Sequence, residues 1–335
     1  DRPEDYDSPL PEASIAQHPA EPRDAARLLV DRGLDRAPDD RRVADLAELL
    51  EAGDVLVVND TRVRRARLHL ERDGGGRAEV LLIEPRQDRR WSALVRPGRP
   101  LRPGSVLSAA QQPVLQVGPV EGETRIVTFL GDRPVEEVMA ELGEMPLPPY
   151  IDAPPDDPER YQTVYADRPG SAAAPTAGLH LTVDLLDRVR ARGVTVATVE
   201  LRVGLDTFQP VRARRLDDHR MHREWYRVPP ESAAAVAAAD RVVAVGTTTV
   251  RALEAAACGP AEGRTDLFIR PGFDFRVVDR LLTNFHVPRS TLLVLLEAFM
   301  GPRWRDLYAA ALDRGYRFLS FGDAMVVDRH GGGAR

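Results

Sequence analysis

The sequence predicts a mixed α/β main domain carrying an inserted small β-barrel, and three observations predict it. An apolar run at residues 54–58 delivers a polar cluster at its carboxyl end, as a buried parallel strand does. From residue 176 onward, helix-period and strand-like segments alternate. Between residues 65 and 130 the texture changes to short alternating runs broken by glycine and proline, including Gly74-Gly75-Gly76. The 335 residues suit two domains, expected at 1–64 with 146–335 for the α/β body and at 65–145 for the barrel.

Taken in order, residues 24–30 and 41–52 carry apolar side chains at helical spacing (Val43, Leu46, Leu49, Leu50) and predict two amphipathic helices, the second stopped by Gly53. The strand at 54–58 follows and ends in Asn59, Asp60, Thr61 and Arg62. Within the insertion, residues 67–71, 78–84 and 125–130 read as strands and 135–142 as a helix, while proline confines 146–158 to a loop. Thr182 is placed to cap a helix that Gly193 ends, with a strand over 194–201. A strand at 242–245 runs through Gly246-Thr247-Thr248 into a helix ending near Ala257. A further strand at 280–282 precedes a turn holding His286 and Pro288, and the apolar stretch 290–300 predicts a buried helix.

Composition removes whole classes of chemistry. The chain contains no lysine, so its 46 basic residues are all arginine, which excludes a Schiff-base lysine, a Walker lysine and a pyridoxal-phosphate anchor. The net charge of −6 argues against nucleic-acid binding by bulk electrostatics and leaves room for a local basic patch. The apolar run 292–296 is closed by Glu297, so no membrane span is expected. A single cysteine, Cys258, and the absence of a signal-like start point to a cytoplasmic location.

Four histidines sit in polar, turn-rich segments: His180, His219, His222 and His286. Histidine is the usual proton carrier near neutrality, and each has a structural reading as a hydrogen-bonded or surface residue. His219 and His222, with Glu224 beyond, have ligand-like spacing, but neither zinc signature is present and no metal is expected. The Gly246 turn has the shape of an anion cradle, and an ordinary helix start explains it equally. Arginine clusters (Arg62, Arg64, Arg65, Arg67; Arg86, Arg89, Arg90; Arg212, Arg214, Arg215) read as phosphate contacts or as a solvated face.

Longer strings then accumulate in order: Gly53-Asp-Val-Leu-Val-Val-Asn-Asp-Thr-Arg-Val, Glu144-Met-Pro-Leu-Pro-Pro-Tyr-Ile, Arg160-Tyr-Gln-Thr-Val-Tyr-Ala and Gly170-Ser-Ala-Ala-Ala-Pro-Thr-Ala-Gly-Leu-His. After them come Asp218-His-Arg-Met-His, Val245-Gly-Thr-Thr-Thr-Val-Arg, Thr283-Asn-Phe-His-Val-Pro-Arg-Ser-Thr-Leu-Leu and Ser320-Phe-Gly-Asp-Ala-Met. Over nearly its whole length the chain resembles the S-adenosylmethionine:tRNA ribosyltransferase-isomerase family of the queuosine pathway. The resemblance implies transfer and isomerisation of the ribosyl part of S-adenosylmethionine onto 7-aminomethyl-7-deazaguanine at the tRNA wobble position. The products would be epoxyqueuosine-tRNA, adenine and methionine. It also implies a soluble monomer acting on a tRNA anticodon stem-loop, with S-adenosylmethionine as co-substrate and no other cofactor.

By residue type and position, proton transfer in that reaction is expected from His180, His219, His222, Glu224, His286 and Asp323. Substrate contacts are expected from Asn59, Thr61, Arg62, Thr176, Gly178, Asp206, Thr247, Thr248, Arg251, Asn284, Arg289 and Ser290, with Arg251 or Arg289 facing the methionine carboxylate. The chain departs from the family pattern at Arg202 and Asp206, where His and Gly are expected. A compensating ion pair between these two is the structural reading, and an altered acceptor pocket the functional one. The alternative activity is the same ribosyl transfer to a free deazapurine or another small amine.

Overall fold

The computed structural model describes residues 1–33, 36–98, 101–152, 154–204, 211 and 213–330. Asp206 and Arg212 lie outside the described residues. The chain divides into two compact units: Asp1–Arg62 with Pro148–Pro169 and Ala174–Arg335, and Val63–Leu147 with Gly170–Ala173.

The larger unit is built on a sheet that, among the described residues, has nine strands in the order Glu262–Thr265, Glu224–Arg227, Thr195–Leu201, Asp54–Asn59, Arg241–Val245, Arg280–Asn284, Ala324–Asp328, Arg27–Val30 and Asp39–Arg42. The four strands from Thr195–Leu201 to Arg280–Asn284 run parallel, so Leu201, Asn59, Val245 and Asn284 end on one edge. All six residues of Asp54–Asn59 are buried, which is why this strand reads as a continuous apolar run. On one face Leu56, Val58, Val243 and Leu282 pack with Leu46, Leu50, Leu185 and Val189 from the segments that cover them. Thr182 caps Val183–Ala191 by accepting from the Leu185 N–H at 3.1 Å, and Ser290 plays the same part for Thr291–Met300.

The expectation of two early helices is corrected. Residues 24–30 form a 3₁₀ turn, Arg23–Ala25, and then the strand Arg27–Val30. Leu28, Leu29 and Val30 are buried in succession between two neighbouring strands, and a run too short to distinguish periods was decided by that tertiary pairing. Residues 41–52 begin inside the strand Asp39–Arg42 and continue as the 3₁₀ helix Val43–Leu49, which keeps Val43 and Leu46 inward.

In the smaller unit, six strands close on themselves in the order Arg67–Arg72, Arg77–Pro85, Arg90–Arg96, Thr124–Phe129, Gln112–Glu121 and Val106–Ala109, which returns to Arg67–Arg72. This is the barrel anticipated from the texture change. Leu68, Leu70, Val80, Leu107, Leu115, Val117 and Val127 are buried in it at alternating positions. Arg125 is buried too, its guanidinium donating to the carbonyls of Gly98, Leu101 and Gly118 at 2.6–3.2 Å. The helix Val135–Leu142 follows.

One buried charge braces the larger unit. Glu254, in the helix Thr247–Cys258, is fully buried and accepts from the N–H groups of Arg276, Val277 and Val278 at 2.9–3.1 Å. Three amides on one carboxylate satisfy a loop that has no strand to pair with. Glu254→Ala is therefore expected to lower the free energy of unfolding by about 3 kcal/mol. Chemical denaturation of the two proteins checks this.

Candidate active site

The carboxyl edge of the four parallel strands is where an α/β fold opens a crevice. Gly246 turns there at φ +86°, a conformation that glycine adopts without strain, and the helix Thr247–Cys258 starts immediately after it. Arg280–Asn284 ends alongside, and the 3₁₀ turn Thr176–His180 lies across from it. The resulting cleft is lined by Thr176, Thr247, Thr248, Thr283, Asn284 and His286, together with Tyr150, Val203, Leu292, Leu319 and Ser320.

Asn284 organises this cleft. Its Oδ1 accepts from the Thr176 hydroxyl at 3.0 Å, and its Nδ2 reaches the Leu319 carbonyl at 3.2 Å and His180 Nε2 at 3.1 Å. A carbonyl only accepts, so the amide nitrogen must face it, and His180 Nε2 is then an acceptor with the ring proton on Nδ1. Leu319 holds φ +70°, a costly conformation for a side chain branched beyond Cβ, and its N–H donates to the Phe285 carbonyl at 3.1 Å.

Both histidines of the site are neutral. Burial first, then Arg317, Arg160 and Arg23, pushes His180 down to about 4. Burial alone pushes His286 down to about 3. His286 Nε2 lies 2.9 Å from the Thr283 hydroxyl, and its main-chain N–H donates to the Tyr308 hydroxyl at 2.7 Å. Across the cleft, the hydroxyls of Tyr150 and Ser320 are 2.7 Å apart. Neither was a sequence candidate, although each stands in one of the long strings, at 144–151 and at 320–325.

The remaining candidates are placed elsewhere or are committed to other partners. Asn59 is saturated by the Leu201 N–H and carbonyl, the Thr61 N–H and the Thr248 hydroxyl. Thr61 is buried at the end of the same strand edge. One Nη group of Arg62 donates to both carboxylate oxygens of Glu159, at 2.7 and 2.8 Å. Arg251 is paired with Glu224 in the interior, and Glu224 also accepts from the Gly204 N–H at 2.8 Å, so this pair braces the chain after Leu201. Arg289 is exposed and paired with Asp7, away from the cleft lining. Asp323 accepts from the N–H groups of Arg27 and Arg317 at 2.9 and 2.7 Å. Ser290 is a helix cap, and a side chain at Gly178 would strike the Tyr165 hydroxyl. His219 packs edge-on against Phe268 at 5.3 Å, His222 is exposed, and neither lines this cleft. Arg202 pairs with Glu200 at 3.0 Å, while the anticipated partner Asp206 lies outside the described residues.

Sequence reading also passed over Asp60 as a charge. It is buried, its Oδ1 has no hydrogen-bond partner among the described residues, and burial followed by Glu200 raises its pKa to about 6. Among the described residues no group of three His, Cys, Asp or Glu side chains is arranged to hold a metal, and no helix is long and apolar enough to cross a membrane.

A polar cleft of hydroxyls, amide and neutral imidazoles at the carboxyl edge of a parallel sheet defines an α/β enzyme. The chain belongs to the queuosine biosynthesis protein family, matching it over residues 3–327. It is 51% identical over 328 residues to S-adenosylmethionine:tRNA ribosyltransferase-isomerase from Rubrobacter xylanophilus, covering 97% of each chain. A protein of the same name from Anaeromyxobacter dehalogenans is 51% identical over 341 residues, covering 97% of this chain and 99% of its own. The solved structure of S-adenosylmethionine tRNA ribosyltransferase from Thermotoga maritima aligns with TM-score 0.54 and 37% identity over 96% of this chain and 99% of its own. Membership makes this chain a transferase.

The histidines set an acid-side prediction. Unfolded, each binds a proton near 6.5, whereas folded His180 does so only near 4 and His286 near 3. Over that window the unfolded chain carries more protons, so stability falls as pH drops from 6.5. Asp60, raised from 3.8 to about 6, opposes this with one group against two. The melting temperature is expected to decline from pH 7 to pH 5, and His180→Gln to flatten the decline. Melting curves across that range check it.

Proposed function

We propose that this chain transfers and isomerises the ribosyl moiety of S-adenosylmethionine onto 7-aminomethyl-7-deazaguanine at the wobble position of tRNA, releasing adenine and methionine. The observation that supports this reading is the likeness, over nearly full length and at about half identity, to ribosyltransferase-isomerases whose names give S-adenosylmethionine and tRNA. The α/β body, residues 1–64 and 146–335, would carry the chemistry, and the barrel at 65–145 would help to hold the RNA. A cytoplasmic monomer is the form in which we expect it to act.

The sulfonium acidifies the C5′ hydrogens. Removal of one gives an ylide whose collapse opens the ribose and expels adenine, and the vinyl sulfonium so formed accepts the aminomethyl nitrogen. Of the proposed proton carriers, His286 lines the cleft and His180 stands behind Asn284, whereas Glu224 and Asp323 are bound into structural pairs. His286 is unprotonated at neutral pH, so its ring is open to a proton from C5′, while burial makes it a weaker base than a free imidazole. The hydroxyls of Thr176, Thr247 and Thr248 suit the ribose. The second reading, transfer to a free deazapurine or another small amine, draws on the net charge of −6 and on Arg202 and Asp206. Turnover that falls steeply with salt supports tRNA, and turnover indifferent to salt supports the small acceptor.

The test is incubation with S-adenosylmethionine and tRNA bearing the deazaguanine precursor, with adenine release and the epoxyqueuosine nucleoside as readouts. Absence of adenine under all conditions overturns the reading. His286→Ala is expected to lose turnover on the order of 10²-fold while keeping its melting temperature. A lowered melting temperature with normal turnover per folded molecule would remove His286 from the mechanism. Charge reversal at Arg86, Arg89 and Arg90 is expected to weaken tRNA binding and leave donor affinity alone; equal loss of both would exclude the barrel as an RNA contact.

A further inference from the structure

Beyond the cleft, the three antiparallel strands at one side of the large sheet carry a pattern that edge protection alone does not explain. Trp225 stands directly across from Arg264 on Glu262–Thr265, and the Arg202 N–H donates to the Trp225 carbonyl at 2.9 Å, which continues the ladder on the other side. Residues opposite one another in an antiparallel ladder share a face, so Arg202, Trp225 and Arg264 form one cross-strand row. The next row is Glu200, Arg227 and Glu262, in which Arg227 meets Glu262 at 3.7 Å. On the opposite face Leu201 and Tyr226 are buried.

Arg202 is set in this row with some care. Its guanidinium lies 4.2 Å above the Trp225 ring, and its Nε is held by the carboxylate of Glu200, whose side chain is 4% exposed while that of Arg202 is 39% exposed. The contact is made through Nε, so the two Nη groups keep their donors for another acceptor. By contrast, Arg289 commits both Nε and an Nη to Asp7, and Arg251 is buried. An arginine plane fixed over tryptophan is a rigid, charged plate of the kind that receives a phosphate or a base. Val203, the next residue along the chain, lines the cleft, so the row stands one residue from it in sequence.

We propose that the row Arg202, Trp225 and Arg264 is a docking surface for the RNA strand flanking the modified nucleotide, with Arg202 gripping a backbone phosphate. This rests on the tRNA reading above and adds a contact at a position where the chain departs from its family's pattern. Charge complementarity identifies the occupant, since Arg220 and Arg223 are also exposed just before Trp225.

Fluorescence anisotropy with a labelled tRNA transcript, over a series of salt concentrations, tests this on the full chain and on Arg202→Gln, Arg202→Lys and Arg264→Gln. Arg202→Gln is expected to weaken tRNA binding about fivefold and to reduce the log–log salt slope by about 0.7–0.9, the value of one phosphate contact. Arg202→Lys should restore the slope but not the full affinity, because lysine carries the charge without the plane. S-adenosylmethionine affinity, followed by calorimetry, should be unchanged in all three. Wild-type affinity and slope in both glutamine variants would overturn the docking surface and leave the tRNA reading standing. Failure of the unaltered protein to bind tRNA would overturn both. Parallel loss of tRNA and donor binding would reduce Arg202 to a structural role.

Discussion

Four parallel strands that stop side by side leave main-chain groups in the interior with no further strand to pair with, and two asparagines at their ends meet that demand. Asn59 binds both the N–H and the carbonyl of Leu201 and reaches Thr248, tying together the ends of two strands and a helix start. Asn284 does the same for the Leu319 carbonyl, Thr176 and His180. An orphaned buried polar group costs about 1–3 kcal/mol, so these amides fix the geometry of the edge before any ligand arrives. The ring orientation of His180 is a consequence of that satisfaction.

A chain whose only strong cation is arginine distributes its charge differently from one that mixes in lysine. Guanidinium groups here serve as staples for irregular backbone: Arg23 holds the carbonyls of Gln162, Leu179 and Glu159, and Arg303 joins Asp31 to the Arg36 carbonyl. The planar fork reaches several acceptors at once, which an ammonium does less well. Runs of arginine in this sequence therefore carry little information about anion binding.

Much of the fold was legible because its strands are short apolar runs closed by glycine or polar residues, and because the barrel's two-residue alternation contrasts with what surrounds it. The strand Arg27–Val30 was misread because three adjacent apolar residues have no period, and only pairing with Ala324–Asp328 decides the matter. The site was legible by segment more than by residue. Thr176, Thr247, Thr248, Asn284 and His286 converge on the cleft, yet Asn59 and Asp323 resemble ligand-binding groups while serving the main chain. Residue type cannot tell a carboxylate or amide that holds backbone from one that holds substrate, because both tasks call for the same donors and acceptors. Tyr150 and Ser320 were missed because they are 170 positions apart in the chain, and no local pattern announces their 2.7 Å contact.

The charge state of the cleft follows from these placements. Its polar lining consists of Tyr150, Thr176, Thr247, Thr248, Thr283, Asn284, His286 and Ser320, none of which carries a permanent charge. The arginines expected at the site, Arg251 and Arg289, are held by Glu224 and Asp7. Burial strips His180 and His286 of their protons at neutral pH, so neither histidine adds charge, and the cations that act there are Arg317, Arg160 and Arg23, which bear on His180. In the proposed reaction the donor is itself a cation at sulfur, and in a medium of low dielectric a like charge close by would cost several kcal/mol (about 4 at 4 Å and an effective dielectric of 20). A lining with no charged side chain adds nothing to that repulsion. The positive charge that acidifies C5′ in the proposed reaction would then come from the donor's own sulfonium, and the lining would add none.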